Sequence, residues 1–180
     1  MKNMLKRIKN YALANLARNI GRKKYHCTIC NSNCSFFLST GVKDSVFDKK
    51  NVVDAGYRKN VRCPICGAID RDRWIDYCLD KFTDLYRRPY DVLHIAPEKS
   101  VYAKLRSASK EKYITGDITP GRADSVVYVT NMQFEIGSFN YIIMNQVLEH
   151  IKDERAALKE VYRCLKWGGI LYSLSRYAWI

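Results

Sequence analysis

The stretch 138-SFNYIIMNQVLEHIKDERAALKEVYRCLKWGGILY-172 decides how the rest of the chain is read. Residues 139–144 form a short apolar run between turn-prone residues, the pattern of a strand buried on both faces. The run breaks at 145–150, and Asp153 is placed to cap a helix. In that helix Leu158, Val161, Tyr162 and Leu165 recur at i, i+3, i+4 and i+7, which predicts one apolar stripe against a sheet. Lys166 is expected to complement the helix dipole, and Gly168 to stop the helix. A second apolar run follows at 170–174. The unit is strand–helix–strand, with polar residues gathered at the carboxyl end of its first strand. Open α/β sheets bind ligands at that end.

The same alternation runs upstream. Residues 90–95 read as a strand, and 98–109 as a helix with Val101, Leu105 and Ala108 inward. Residues 113–115 read as a strand ending at Gly116-Asp117, and 125–129 as a third strand, with a loop through Met132 to Gly137. Regular β-α-β alternation implies parallel strands with right-handed crossovers. The predicted fold class is therefore α/β, a doubly wound and mainly parallel sheet over residues 90–180. A helix over 70–86, with Ile75, Cys78, Leu79 and Phe82 on one face, connects it to what comes before. Arg71 and Arg73 oppose the dipole at the start of that helix, so they are expected to face an acidic group, a neighbouring carboxylate first and a substrate second. Arg87, Arg88 and Pro89 mark the boundary at its end.

Residues 25–69 carry two C-x-x-C knuckles, Cys27-Thr-Ile-Cys30 and Cys63-Pro-Ile-Cys66-Gly67. Each tight turn aims two thiolates at one point, as tetrahedral Zn2+ requires, so Cys27, Cys30, Cys63 and Cys66 are the expected metal ligands. Four sulfurs close the site to water, which makes the zinc structural. The 32 residues between the knuckles exceed a finger interval but suit a zinc-ribbon-like module with a longer hairpin, its strands expected at 36–38 and 52–53. Cys34 reads as a free thiol, Cys78 and Cys164 as core, and His26 as a fallback ligand.

Residues 1–24 hold eight Lys or Arg and no acid, leaving only +5 of the +13 net charge to the rest of the chain. Leu5, Ile8, Ala12, Leu16 and Ile20 fall at helical spacing there. A basic amphipathic helix packs on its own domain, lies on an anionic membrane surface or docks to RNA. Seven cysteines without a secretion signal indicate a reducing compartment. The expected location is cytoplasmic, with any membrane contact peripheral at the inner face. No apolar run approaches the roughly 20 residues of a membrane span.

The first strand-to-helix turn, His94-Ile95-Ala96-Pro97-Glu98-Lys99, lacks the glycines a pyrophosphate needs for close backbone approach. Dinucleotides and nucleoside triphosphates are therefore poor candidates. S-adenosylmethionine carries no phosphate and needs a carboxylate for its ribose diol. Asp117, at the end of the second strand, stands where that carboxylate belongs.

At this point CPICGAIDRDR (63–73), VLHIAPEKS (92–100), YITGDI (113–118) and the opening stretch together resemble class I S-adenosylmethionine-dependent methyltransferases. The likeness is strongest to a bacterial group with a cysteine-knuckle module before the catalytic domain. The resemblance covers about residues 25–172 and implies methyl transfer. It implies cofactor contacts from His94, Ala96 and Glu98 in the first turn and Asp117 with Ile118 at the ribose. Met132 and Gln133 are implied near the adenine, and Asn145 with Glu98 at the methionine end. Tyr128, Asn140 and Gln146 depart from the residues common in the family, and the first turn lacks its glycines. The family's sheet continues past its fifth strand, so the resemblance also implies that this chain is C-terminally truncated.

His150, just past the fourth strand, is the candidate general base, needed only for a weakly acidic acceptor such as a hydroxyl. The competing role for Glu149 and His150 is to fix the turn. The leading expectation is a small-molecule or glycan acceptor. The alternatives are an RNA methyltransferase that uses the ribbon and basic arm, and a catalytically inactive zinc-containing binding module.

Overall fold

A computed structural model describes residues 2–44, 56–108 and 112–174. The chain divides into two compact units, Met1–Cys78 and Leu79–Ile180.

The first unit opens with helix α1 (Lys2–Asn19). A short antiparallel hairpin follows, β1 (Tyr25–Cys27) against β2 (Ser32–Cys34), with Cys27 opposite Ser32 and Tyr25 opposite Cys34. Its turn carries the first knuckle. Strand β3 (Leu38–Thr40) pairs antiparallel with β4 (Arg58–Arg62), which delivers the second knuckle. The ribbon's first strand thus lies at Leu38–Thr40 rather than 36–38, and the strand expected at 52–53 lies outside the described residues. The core of this unit is small: Ala17, Cys27, Cys34, Phe37, Cys63 and Ala68.

Helix α2 (Asp70–Phe82) is shorter than the expected 70–86 and contains the division between the units. Ile75, Cys78 and Leu79 are buried as the periodicity requires, but Phe82 is 74% exposed. The helix stops there because the Thr83 hydroxyl bonds back to the Leu79 carbonyl and also receives the Leu85 N–H, which turns the chain. Among the described residues, Arg73 turns to carbonyls and a ring rather than to a carboxylate. Its guanidinium donates to the carbonyls of Ala68 and Val61 and stacks on the Phe37 ring at 4.7 Å. At the same helix start, Arg58 bonds Asp70 at 2.6 Å.

The second unit is a five-stranded parallel sheet in the order β7-β6-β5-β8-β9. Its strands are β5 (Val92–Ile95), β6 (Tyr113–Asp117), β7 (Ser125–Val126), β8 (Phe139–Met144) and β9 (Leu165–Tyr172). Helix α3 (Lys99–Ala108) follows β5, and α4 (Glu154–Cys164) follows β8. Every pairing is parallel, with Ile95 opposite both Gly116 and Met144. All four residues of β5 are buried, as a strand covered on both faces demands. The order reverses between β5 and β8, so the sheet has a switch point at their carboxyl ends. The doubly wound α/β fold is as predicted.

Three features of the deciding stretch differ from expectation. Helix α4 buries Ala157, Val161 and Cys164, whereas Leu158 is exposed and Tyr162 is 79% exposed. The side facing the sheet is one step round the helix and carries small residues, which let the helix lie close. The helix ends at Cys164, because β9 begins directly at Leu165. Gly168 is no helix stop. Its φ of +73° serves an irregularity in β9, where Phe139 pairs with Leu165 but Tyr141 pairs with Ile170. Lys166 does not serve the dipole either; its ammonium bonds Asp91 at 2.6 Å and reaches the Asn140 amide oxygen at 3.4 Å. The third strand is reduced to Ser125–Val126, and Val127 and Val129 continue into the core beyond it.

Candidate functional site

Two groups of residues carry chemistry. In the first unit, Cys27, Cys30, Cys63 and Cys66 bring four Sγ atoms within 4.8 Å of one another. Cys27 and Cys66 sulfurs lie 3.6 Å apart, and Cys30 and Cys63 sulfurs 3.8 Å. With zinc–sulfur bonds of about 2.3 Å, the edge of a tetrahedron is about 3.8 Å, so these spacings fit a four-thiolate zinc site. The Ile65 N–H donates to the Cys63 sulfur at 3.4 Å, and Gly67 N–H closes the knuckle onto the Cys63 carbonyl. The Cys63 thiol is drawn down to about 3 by hydrogen bonds from Cys27 and Cys66, while the same contacts push Cys66 up. His26 stands outside the cluster, its Nδ1 paired with the Asn33 amide oxygen at 2.9 Å. Cys34 is buried beside the cluster, and desolvation raises its thiol to about 11.

In the second unit, a cavity of about 710 Å³ opens over the carboxyl ends of the parallel strands. Ile95 and Ala96 after β5, Asp117 to Thr119 after β6, Tyr128 to Thr130 after β7, and Gln146, Val147 and His150 after β8 all line it. Four successive strands therefore deliver their ends to one hollow. A second hollow of about 700 Å³ shares Ala96, Asp117 and Arg122 and continues along Lys99, Tyr102 and Asp124.

Asp117 sits between the two hollows. One carboxylate oxygen accepts the Thr119 N–H at 2.7 Å, an Asx turn that fixes the side chain. The loop after it is pinned by a reciprocal pair: Thr115 N–H and Oγ1–H donate to Asp124, whose own N–H donates to Thr115 Oγ1. Ala96 takes φ +49°, a left-handed conformation that side chains resist, and its N–H donates to the Gly116 carbonyl at 2.7 Å. Gly116 is required there, since an added Cβ would stand 2.7 Å from Val127 Cγ2 and 3.0 Å from Ile95 Cδ1. The left-handed turn that glycines would supply is thus made by an alanine.

Below this rim lies a buried polar row. His94 is fully buried on β5; its Nδ1 meets the Tyr113 hydroxyl at 2.8 Å and its Nε2 the Glu98 carboxylate at 2.8 Å. Glu98 also starts α3, its carbonyl accepting from Val101 and Tyr102. Burial alone pushes the Glu98 carboxyl up, but the His94 hydrogen bond and charge outweigh it, and the net direction is below the ordinary glutamate value. Desolvation, aided by Tyr102, pushes the Tyr113 phenol up. Asn145, at the end of β8, is buried; its Oδ1 accepts the Leu174 N–H at 3.1 Å, and its Nδ2 lies toward the Glu98 carboxylate, helping to hold that charge, without closing a hydrogen bond of ordinary geometry.

Of the residues singled out from sequence, Ala96, Asp117, Ile118 and His150 line the cavity. His94, Glu98 and Asn145 sit behind it. Met132 and Gln133 do not line it: Met132 is buried in the core, and Gln133 turns away to bond the Val126 carbonyl at 3.0 Å. Val129 and Thr130, each three residues earlier, line it. Tyr128, Gln146 and Arg122 were not singled out as contacts. Gln146 adopts φ +53° and donates its N–H to the Leu174 carbonyl. Only where β7 stops decides which loop residues reach the hollow, and a two-residue strand leaves no periodicity to find.

Residues 81–173 match the family described as the methyltransferase domain. The chain belongs to the methyltransferase domain family. This agrees with the family resemblance in the motifs and with the five-strand order. Among curated proteins, none matches the chain. Three solved structures are similar in fold. A protein from Pyrococcus horikoshii OT3 shares 18% identity over 59% of this chain and 58% of its own, with a TM-score of 0.48. The trans-methyltransferase CalH, in complex with SAH, shares 19% over 47% and 31%, with a TM-score of 0.39. The [4+2]-cyclase SpnF shares 20% over 56% and 43%, with a TM-score of 0.41. The chain therefore spans 31%, 58% and 43% of the lengths of CalH, the Pyrococcus protein and SpnF.

Proposed function

We propose that this methyltransferase domain binds S-adenosylmethionine at the carboxyl ends of β5, β6 and β8 and methylates a small-molecule or glycan acceptor. The observation that carries the reading is Asp117. Its side chain is fixed where the two hollows meet, beside a strand-to-helix turn with no phosphate-binding glycines. The donor set suits a cofactor with a ribose diol and an ammonium but no phosphate. Asp117 would accept from the diol, and the buried Asn145 Nδ2 and the Glu98 carboxylate would serve the amino-acid end. When bound, S-adenosylmethionine supplies a methyl group already activated by a sulfonium, so catalysis rests mostly on alignment. The chain's own part is to hold the acceptor in line, to exclude water with Tyr128, Val129 and Ile151, and to move one proton. His150 lines the same cavity and accepts that proton where the acceptor is a hydroxyl. The modest +5 outside residues 1–24 favours a small or neutral acceptor over a polyanion. We further propose that Cys27, Cys30, Cys63 and Cys66 hold one structural Zn2+, on the spacings given above.

Isothermal titration of the zinc-loaded chain with S-adenosylmethionine tests the site. Saturable binding is expected, with Asp117→Ala weakening it by about tenfold or more, the loss of charge-assisted bonds to the ribose. Unchanged affinity in Asp117→Ala would remove the assignment. No binding by the parent chain would leave a zinc-containing binding module instead.

A further inference from the structure

Helix α1 presents two apolar faces, and only one of them packs among the described residues. Leu13, Ala14 and Ala17 turn toward the cysteine module: Ala17 is fully buried in its core, and the Ala17 carbonyl accepts from Ser35 N–H at 3.0 Å and from Lys23 Nζ at 3.2 Å. The stripe read from the sequence through Leu5, Ile8 and Leu16 does not pack. Leu5 is 60% exposed, Ile8 58% and Tyr11 72%, with Met4 and Leu16 exposed beside them. At about 100° per residue, Met4, Leu5, Ile8 and Leu16 fill an arc of roughly 120° away from the docked face, while Tyr11 sits at its edge, over the hollow beside Cys63 and Cys66. Lys9 flanks that arc on one side, Arg7 and Arg18 on the other. Since the Ala17 side is anchored, the free arc cannot also turn inward.

We propose that this free face of α1 lies in the headgroup region of an anionic lipid bilayer, holding the methyltransferase domain at a membrane surface. The composition selects this occupant. An apolar arc with basic flanks meets both demands of an anionic interface: hydrocarbon for Leu5 and Ile8, and phosphate for the flanking cations. Residues 1–24 contain no acid, so a second copy of the helix would bring +8 against +8. Nucleic acid would use the cations but leave the apolar arc in water. The helix lies on the bilayer rather than through it; no helix among the described residues is long and apolar enough to cross a membrane. The proposal is independent of the methyl-transfer reading and of the cofactor site.

Vesicle sedimentation of the full zinc-loaded chain tests it. Phosphatidylcholine vesicles with about 30% phosphatidylglycerol are compared with phosphatidylcholine alone, where at least a tenfold preference for the anionic vesicles is expected. Ile8→Glu, at an exposed position, should reduce that binding by about tenfold while leaving zinc content and far-UV circular dichroism unchanged. Arg7→Glu with Lys9→Glu should reduce it as well and flatten its salt dependence. A Met4→Trp reporter, at a position 62% exposed, should shift its emission to the blue on anionic vesicles. Ile8→Glu binding as tightly as the parent would overturn the proposal, since charge alone would then suffice. So would equal binding to neutral vesicles, tighter binding to a structured RNA that Ile8→Glu does not weaken, or a concentration-dependent dimer that Ile8→Glu abolishes.

Discussion

Single residues in this domain do work that their types conceal. Ala96 holds a left-handed φ of +49° at the cavity rim, which an alanine tolerates at a cost of about 1–2 kcal/mol. Ala96→Gly is expected to raise stability by about 0.5–1 kcal/mol, the relief being partly offset by the freer unfolded chain, and Ala96→Val to lower it by more than that; urea unfolding measures both. His94 and Glu98 form a buried pair at 2.8 Å. Replacing Glu98 by Gln should cost about 2 kcal/mol at pH 7 by loosening a buried charge-assisted bond. The Glu98 carboxyl is held below its ordinary value, so its contribution is complete above about pH 4.3, the unfolded value, and is lost as pH falls through the folded one. The gap between parent and variant should therefore close on acidification below about pH 4, seen as converging melting temperatures. A gap that widened on acidification would reverse the sign of the pair. That Asp117 would reach the cavity was legible from its place after a strand-ending glycine. Met132 and Gln133 lie off the cavity, because loop register depends on where a two-residue strand stops.

Among the elements, α4 ties the loop after β7 to the sheet. Arg163 donates to the carbonyls of Phe134 and Met132 at 2.7 and 2.8 Å, and Glu160 accepts the Met132 N–H at 2.7 Å. Arg163 bonds Glu160 in turn and holds its carboxyl down to about 2. This clamp sets the segment from which Val129 and Thr130 reach the cavity. Glu160→Gln should lower the melting temperature modestly at pH 7, a small effect because the pair is near solvent. Its depressed value again means that the difference is present above about pH 4.3 and fades as pH falls toward 2. At the start of the helix, Asp153 accepts the Ala156 N–H at 2.9 Å, the cap read from sequence. Asp153→Ala should cost about 1 kcal/mol in chemical unfolding, and Asp153→Asn much less, since either oxygen can cap. The helix itself was legible; its inward face was not. Leu158 and Tyr162 make the larger stripe, yet Ala157, Val161 and Cys164 face the sheet, because closeness of approach selects small side chains over hydrophobic ones.

For the whole molecule, two compact units imply two separable transitions. Removing zinc with a chelator should unfold the cysteine module, whose apolar core is too small to stand alone, while the parallel sheet keeps its own melting. Calorimetry with and without chelator reads this, alongside metal analysis expected to find about one zinc per chain. Cys66→Ser should lower both the zinc content and the first transition. By itself the sequence determined the strand alternation, and with it the parallel sheet, the carboxyl-end cavity and the family. It also determined the four thiols, because knuckle spacing is local and rigid. Tertiary structure alone decided which face of each helix is used. Periodicity reports that a helix has an apolar side but not what meets it: α4 turns its small residues to the sheet, and α1 docks through Ala17 and leaves Leu5 and Ile8 outward. It also decided which loop residues reach the cavity, since they are set by where distant strands end and pair rather than by any pattern within the loop.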